Sequence, residues 1–479
     1  MCPPVCHHRV RQLIFPSVRF SRRTGRIAIV LTVLAVLVTP ALVYAHARLV
    51  KASPEVNGRV VVVPTSLSLW FSEKPEPSFT KLELLDSAGT AVPLGPVTTI
   101  AGDAMGVTAP ITGTVANGKY TVSWRTAAAD GHPTTGRYSF VVALLPAAVP
   151  PTVDTGVKTL PVQKPVSNAV VAPVETSVFS TSTRWVELVS LLTLIGVAIF
   201  RLFVITPADA GFSADVFADA SDRARRLAQA VLILFLLTAL WRLSAQAELL
   251  VDQVSSRAAA MMTVIRASQW GRGWLVGALG GVVAGVGLVL ARRSNSGWIV
   301  AGLGIVAICF GEGITGHAGA LRNRASLATA IDLAHLLGAG GWLGGLAAVL
   351  LCGLPATGRL PETERRAAGQ RLVRSYHKAA VECVALVLIT AVFAAWLRFS
   401  AFSDLWVTAY GRILLLKLAL AIVLLGIGWY HWRNVVTPEW DDDTGFRFKR
   451  SAAVELLVGA AVLGATAVLV STALPAIAS

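Results

Sequence analysis

Two hydrophobic periods divide the chain. From residue 183 onward, apolar positions run for about twenty residues at a time, at 184–205, 227–247, 273–291, 297–315, 327–352, 377–397, 411–432 and 452–474. Each run is close to the ~20 residues that an α-helix needs to cross a bilayer, so the pattern predicts eight membrane-spanning helices. Between 46 and 145 the period falls to two. Segments 60–63, 66–71, 81–85, 119–124 and 137–142 read as short strands, punctuated by Pro64, Gly89, Asn117-Gly118 and Asp130-Gly131. Strands at that spacing predict a small antiparallel sandwich or barrel. The predicted fold class is therefore mixed: a small all-β sandwich or barrel followed by an all-α polytopic bundle of about eight helices.

The flanking segments set domain limits. Residues 1–26 hold six arginines and no acid, an apolar run fills 27–38, Pro40 breaks it, and Val43 and Ala45 supply small residues. That order is a secretory signal, which predicts a signal peptide over 1–45 and a mature chain that starts at His46. Cys2, Cys6, His7 and His8 then belong to a discarded leader. The alternative is that the leader stays as an anchor, which would lock the His46 amine into a peptide bond. Residues 146–182 are rich in Pro, Val, Thr and Ser without a sustained period, and read as a semi-rigid linker. The predicted order is an exported β domain (46–145), the linker (146–182) and a membrane domain (183–479).

Composition agrees with a membrane protein. Only 14% of residues are charged, against about 25% in soluble domains. The net charge of +15 does not point to nucleic acid, because Lys and Arg collect in the short loops 206–226, 292–296, 353–376 and 433–451. Placing those loops inside satisfies the positive-inside rule and puts the β domain outside the cytoplasmic membrane. Residues 46–180 hold no cysteine, so the exported part folds without disulfides. Neither a P-loop nor a Cys-x-x-Cys occurs.

The candidate chemistry is carried by histidines. The exported domain has two, His46 and His132. A free His46 offers an α-amine and an imidazole, and Asp130 and His132 flank one glycine at a turn. Three nitrogens and a carboxylate favour tetragonal Cu(II). On spacing alone, Asp130-Gly-His132 reads rather as a plain polar β-turn, and it is the combination with a signal-exposed His46 that favours a ligand pair. In the membrane domain His317 and His335 fall toward the outer ends of predicted helices, and His377 and His431 toward the inner ends. His335 lies about eight residues into its segment, or ~12 Å deep at 1.5 Å per residue, with Asp332 one turn above on the same face. Ionisable residues within a bilayer are functional candidates by default. For His377 and His431 a simple interfacial role is the competing reading, and for the glycine run 338–345 close helix packing is the preferred one.

The stretches His46-Ala-Arg-Leu-Val-Lys-Ala-Ser-Pro54, Phe71-Ser-Glu73 and Trp124 through Asp130-Gly-His-Pro-Thr-Thr-Gly136 to Phe140 resemble the copper-resistance C (CopC) family. That resemblance implies a β-barrel-like carrier that holds Cu(II) at His46, Asp130 and His132, with Glu73 as an outer or occasional ligand. Met105 is the domain's one methionine, which disfavours a thioether Cu(I) site. Gly316-His-Ala318, Asp332-Leu-Ala-His335, Gly341-Trp-Leu-Gly-Gly345 and Tyr410-Gly-Arg-Ile-Leu-Leu-Leu-Lys-Leu418 resemble the copper-resistance D (CopD) family of eight-helix membrane proteins. Together they imply copper binding outside the membrane and copper import or homeostasis through it, with no catalytic residues. Cu(I) or Cu(II) would pass His317, Asp332, His335, His377 and His431. Implied partners are copper ions, the lipid bilayer, and a copper donor or reductase protein. Three other readings remain: a two-haem membrane metal reductase, a copper-brace oxygenase, and sequestration of copper outside the cell without transport. Haem is not implied by either resemblance.

Overall fold

The computed structural model describes residues 49–127, 133–144, 170–172, 178–206, 211–316, 325–398, 403–433 and 442–471. The predicted leader and His46 precede these residues, and Asp130, His132 and His317 lie outside them as well.

The exported part is a two-sheet sandwich. One antiparallel sheet has the order β1 (Leu49–Ser53), β3 (Ser66–Phe71), β7 (Asp103–Pro110), β6 (Thr98–Ile100). The other runs β10 (Val170–Ala172), β9 (Pro133–Val142), β8 (Gly118–Ala127), β4 (Lys81–Leu85), β5 (Ala91–Val92), and β2 (Arg59–Val60) pairs with β9 in parallel. Alternation makes the core: Leu67, Leu69 and Phe71 from β3 meet Tyr120, Val122 and Trp124 from β8. The Phe71 and Trp124 rings meet edge to face at 5.1 Å. Gly136 leaves room for that indole, since a Cβ there would lie 2.4 Å from it.

Three local expectations are corrected. Only Val60 of the predicted 60–63 strand pairs, together with Arg59 before it; Val61, Val62 and Val63 are exposed beyond it, because Pro64 removes a ladder donor and stops the pairing. Strand β7 was not visible as alternation, since its Gly and Ala positions carry little β propensity; its register against β3, Leu69 opposite Val107, holds it. Residues 170–172 of the presumed linker add a strand to β9.

Eight helices are long and apolar enough to cross a membrane. They are α1 (Val178–Ile199, continued by a π turn at Phe200–Val204), α2 (Ala214–Ala247), α4 (Gln269–Leu290), α5 (Ser296–Thr315), α6 (Ser326–Thr357), α7 (Glu362–Arg398), α8 (Ala409–His431) and α9 (Asp442–Val470). A shorter α3 (Arg257–Ala267) lies between α2 and α4. All eight predicted spans have a counterpart. Helices α2, α7 and α9 begin 10 to 15 residues earlier than predicted, because their inner ends are charged helix formers that continue past the apolar run, with pairs such as Arg223 to Asp219 at 2.9 Å adding i,i+4 support.

Glycines let these helices touch. A Cβ on Gly344 would lie 1.9 Å from the Leu192 carbonyl oxygen, and one on Gly196 would lie 1.9 Å from Gly344. Gly280, Gly287 and Gly304 similarly join α4 to α5. The glycine run of α6 is thus a backbone contact surface, set in a π turn at Gly340–Gly344. Gly344→Ala is expected to destabilise the bundle by about 1–3 kcal/mol through overpacking. The check is the thermal midpoint of the detergent-solubilised chain; an unshifted midpoint would contradict this packing.

Candidate functional site

Register brings four chain segments to one end of the sandwich. Leu49 pairs with Phe71, so β1 begins beside the end of β3. Ala127 and Pro133 are register partners on β8 and β9, so β8 ends where β9 begins. The Glu76 amide donates to the Ala127 carbonyl at 2.9 Å, and the Thr80 and Thr126 hydroxyls meet at 2.7 Å. The start of β1, the end of β3, the end of β8 and the start of β9 therefore share one end. Of the four residues predicted to serve the exported site, Glu73 is described, half-buried in the loop after β3. The other three lie outside the described residues, but their nearest described neighbours converge on this end.

The same end rests on the outer surface of the membrane domain. Phe79 and Ala127 pack with Leu243, Ala247, Leu250, Ala260, Val264 and Trp270 in one buried cluster. The Arg125 guanidinium donates to the Leu249 carbonyl at 2.8 Å, and the Gln269 amide donates to Glu76 Oε1 at 3.1 Å. Apolar burial and desolvated hydrogen bonds thus fix the sandwich by the end that carries the candidate chemistry.

Directly beneath is a charge cluster that spacing alone did not reveal. Arg242 lies over the Trp270 ring at 5.5 Å. It pairs with Glu187 at 2.7 Å and with Glu312 at 3.5 Å. Arg184 pairs with Glu187 at 2.8 Å and with Glu312 at 2.5 Å. The four residues come from α1, α2 and α5 and sum to zero formal charge. Four charges inside apolar runs were the available signal; their convergence was not.

Deeper in the bundle, His335 on α6 meets Thr390 on α7, Nδ1 to Oγ1 at 2.9 Å. The Thr390 hydroxyl donates to the Leu386 carbonyl at 2.6 Å. A contact from one ring nitrogen to a neighbouring helix fixes the ring's orientation, as an outer-shell partner does for a metal-binding histidine. Thr390, on a different helix from Asp332, is a contact that spacing did not reveal.

The inner pair does converge. His377 and His431 line one cavity of about 540 Å³ with Glu455, Trp342 and Tyr376. His431 Nδ1 lies 2.9 Å from Glu455 Oε2, and its Nε2 lies 2.5 Å from Ser451 Oγ. Trp342 Nε1 donates to Glu455 Oε1 at 2.8 Å, and the Tyr376 hydroxyl donates to the Trp342 carbonyl at 2.7 Å. Both ring nitrogens of His431 are therefore committed, and this histidine ties α8 to α9. His377 stands about four turns into α7 rather than at a helix end, since the helix begins at Glu362. Among the described residues no group of three or more His, Cys, Asp or Glu is arranged to hold a metal ion. His335 does not line the cavity that His377 and His431 share.

The chain matches three family models: CopC domain over residues 49–143, copper resistance protein D-like N-terminal domain over 176–324, and copper resistance protein D over 370–469. It is 23% identical over 454 residues to the copper transport protein CutJ of Bacillus subtilis, covering 93% of this chain and 77% of CutJ. It is 33% identical over 106 residues to the protein YobA of Escherichia coli K12, covering 22% of this chain and 85% of YobA. Among solved structures it is similar to CopC from Methylosinus trichosporium OB3b, with 30% identity, 22% of this chain and 100% of that chain covered, and a TM-score of 0.20. With an N-terminal sandwich docked on eight apolar helices, and with these matches in that order, the chain belongs to the copper-resistance proteins that join a CopC domain to a CopD-type membrane domain.

Proposed function

We propose that the protein imports copper, capturing Cu(II) outside the membrane and passing it directly into its own membrane domain. His46, through its α-amine and ring, acts with Asp130 and His132 as the capture site, and Glu73 stands in the outer shell. The observation that carries the reading is the docking: the sandwich sits on the membrane domain by the end at which the flanks of these residues converge, through Glu76, Phe79, Arg125 and Ala127. A carrier that worked by diffusing to a distant partner would need this end exposed. The copper transport role in the name of CutJ supports the same direction of thought. Inside the bundle His335 is the first stop. His377 and the Glu455 carboxylate border the inner cavity from which the ion would leave. His317 is proposed, from its place in the sequence, to act ahead of His335.

Undocking tests this. Phe79→Asp with Arg125→Ala places a charge in an apolar cluster and removes a hydrogen bond across the interface. We expect Cu(II) affinity within about twofold of the wild type, since no proposed ligand changes, and cellular copper accumulation reduced several-fold. Full accumulation with the interface opened, verified by faster hydrogen exchange at 243–270, would contradict direct transfer.

Sequestration without transport is the reading to separate from this one. It predicts that deletion of residues 183–479 leaves copper tolerance intact, whereas import predicts changed cellular copper. A bis-histidine haem at the inner pair would need His431 Nε2, which is held by Ser451.

A further inference from the structure

The inner end of α1 buries an arginine whose charge copper handling does not use. Arg201 sits in the π turn that ends α1, with 2% of its surface exposed. Its Nη1 donates to Thr206 Oγ1 at 2.5 Å and its Nη2 to Asn295 Oδ1 at 2.7 Å. Its guanidinium stacks over Phe217 at 4.5 Å and Trp298 at 5.8 Å. All four partners are neutral, and Nε has none among the described residues. A buried charge persists when it is paired, and π turns recur at functional positions.

Arg201 lines a cavity of about 660 Å³ at the cytoplasmic side of the bundle. Ser221 lines it too, and its buried hydroxyl also lacks a partner among the described residues. Two of the three carboxylates on the wall are occupied: Asp219 pairs with Arg223 at 2.9 Å and with Arg359 at 3.6 Å, and Asp222 pairs with Arg225 at 2.9 Å. The third, Asp215, has no ion pair among the described residues, and it faces a wall to which Arg201, Arg225, Arg292 and Arg359 all contribute. Four arginines against three carboxylates leave the wall net positive, and with two unpartnered buried donors the space suits an oxyanion that accepts several hydrogen bonds at once.

We propose that this cavity binds a phosphate group, held by Arg201, Ser221 and Arg292. Its position at the cytoplasmic interface admits two sources, the headgroup of an anionic inner-leaflet lipid and a soluble phosphate. The site is separate from the copper path and stands or falls independently of it.

The test is native mass spectrometry of the full chain, stripped of lipid in a neutral detergent and titrated with phosphatidylglycerol, phosphatidylcholine and inorganic phosphate. One saturable phosphatidylglycerol, preferred over phosphatidylcholine and not displaced by inorganic phosphate, assigns a lipid headgroup; saturable inorganic phosphate assigns a soluble ligand. In either case Ser221→Ala with Arg292→Gln should weaken binding at least tenfold while leaving the α1 packing around Arg201 in place. Arg201→Gln should abolish it, provided circular dichroism shows a native helix content. Saturable binding of neither probe, or binding that the Ser221→Ala, Arg292→Gln variant leaves unchanged, would overturn the proposal.

Discussion

Mature protein carrying one extra residue ahead of His46 is expected to bind Cu(II) at least about 100-fold more weakly, a loss of ~2.7 kcal/mol. The added residue converts the His46 α-amine into an amide. An amine with a pKa of about 7.7–8.0 gives up its proton to copper near neutrality, whereas an amide nitrogen does not. The chelate formed by amine and ring then opens, leaving His132 and Asp130 to hold the ion. The amine also fixes a pH dependence. Below its pKa the proton competes with copper, so affinity should fall as pH drops from 8 to 6, by close to tenfold per unit for that one proton. Titration of the full chain against a competing chelator at several pH values measures both effects. Unchanged affinity in the extended protein would remove the amino-terminal chelate from the capture site.

Glu187→Ala is expected to give the largest loss of stability, about 3–5 kcal/mol, because it strips one partner from a buried ion cluster. Glu187 is 1% exposed and holds both Arg184 and Arg242. Without it two guanidinium groups share Glu312 inside the bilayer. Removing Arg242 as well restores formal neutrality, so the Glu187→Ala, Arg242→Leu pair should recover much of the loss, the non-additivity of coupled neighbours. Denaturant titrations of the two variants in detergent check this. Additive losses would mean that the cluster does not act as a unit. Since Arg242 stacks on Trp270, and Trp270 packs with Phe79 and Ala127, loss of Glu187 should also loosen the docked sandwich.

The parts of this structure legible in sequence were those written in local period and residue type. Eight apolar runs gave eight helices because span length is a one-dimensional property. The split of the histidines into outer and inner sets followed from counting residues along those runs, and His377 and His431 do share a cavity. Pairings between distant segments were not legible. Thr390 is 55 residues from His335, and any of several polar residues on α7 could have faced it. Glu455 stands out in the sequence as an acid within an apolar run, but its grip on His431 and Trp342 depends on how α6, α8 and α9 pack. Phe79 and Ala127 looked like ordinary loop and strand residues, because a docking surface is defined by a partner the local pattern does not contain. Strand β7 was missed for the related reason that tertiary pairing overrides weak propensity.

In the proposed route copper enters the bundle through His335, whose ring is held by Thr390 on the neighbouring helix. The most direct measurement is copper accumulation in cells expressing His335→Ala, compared with wild type at equal amounts of membrane-inserted protein. The account predicts accumulation reduced to the level of cells lacking the protein, with Cu(II) binding by the exported domain unchanged. Wild-type accumulation in His335→Ala cells would contradict it.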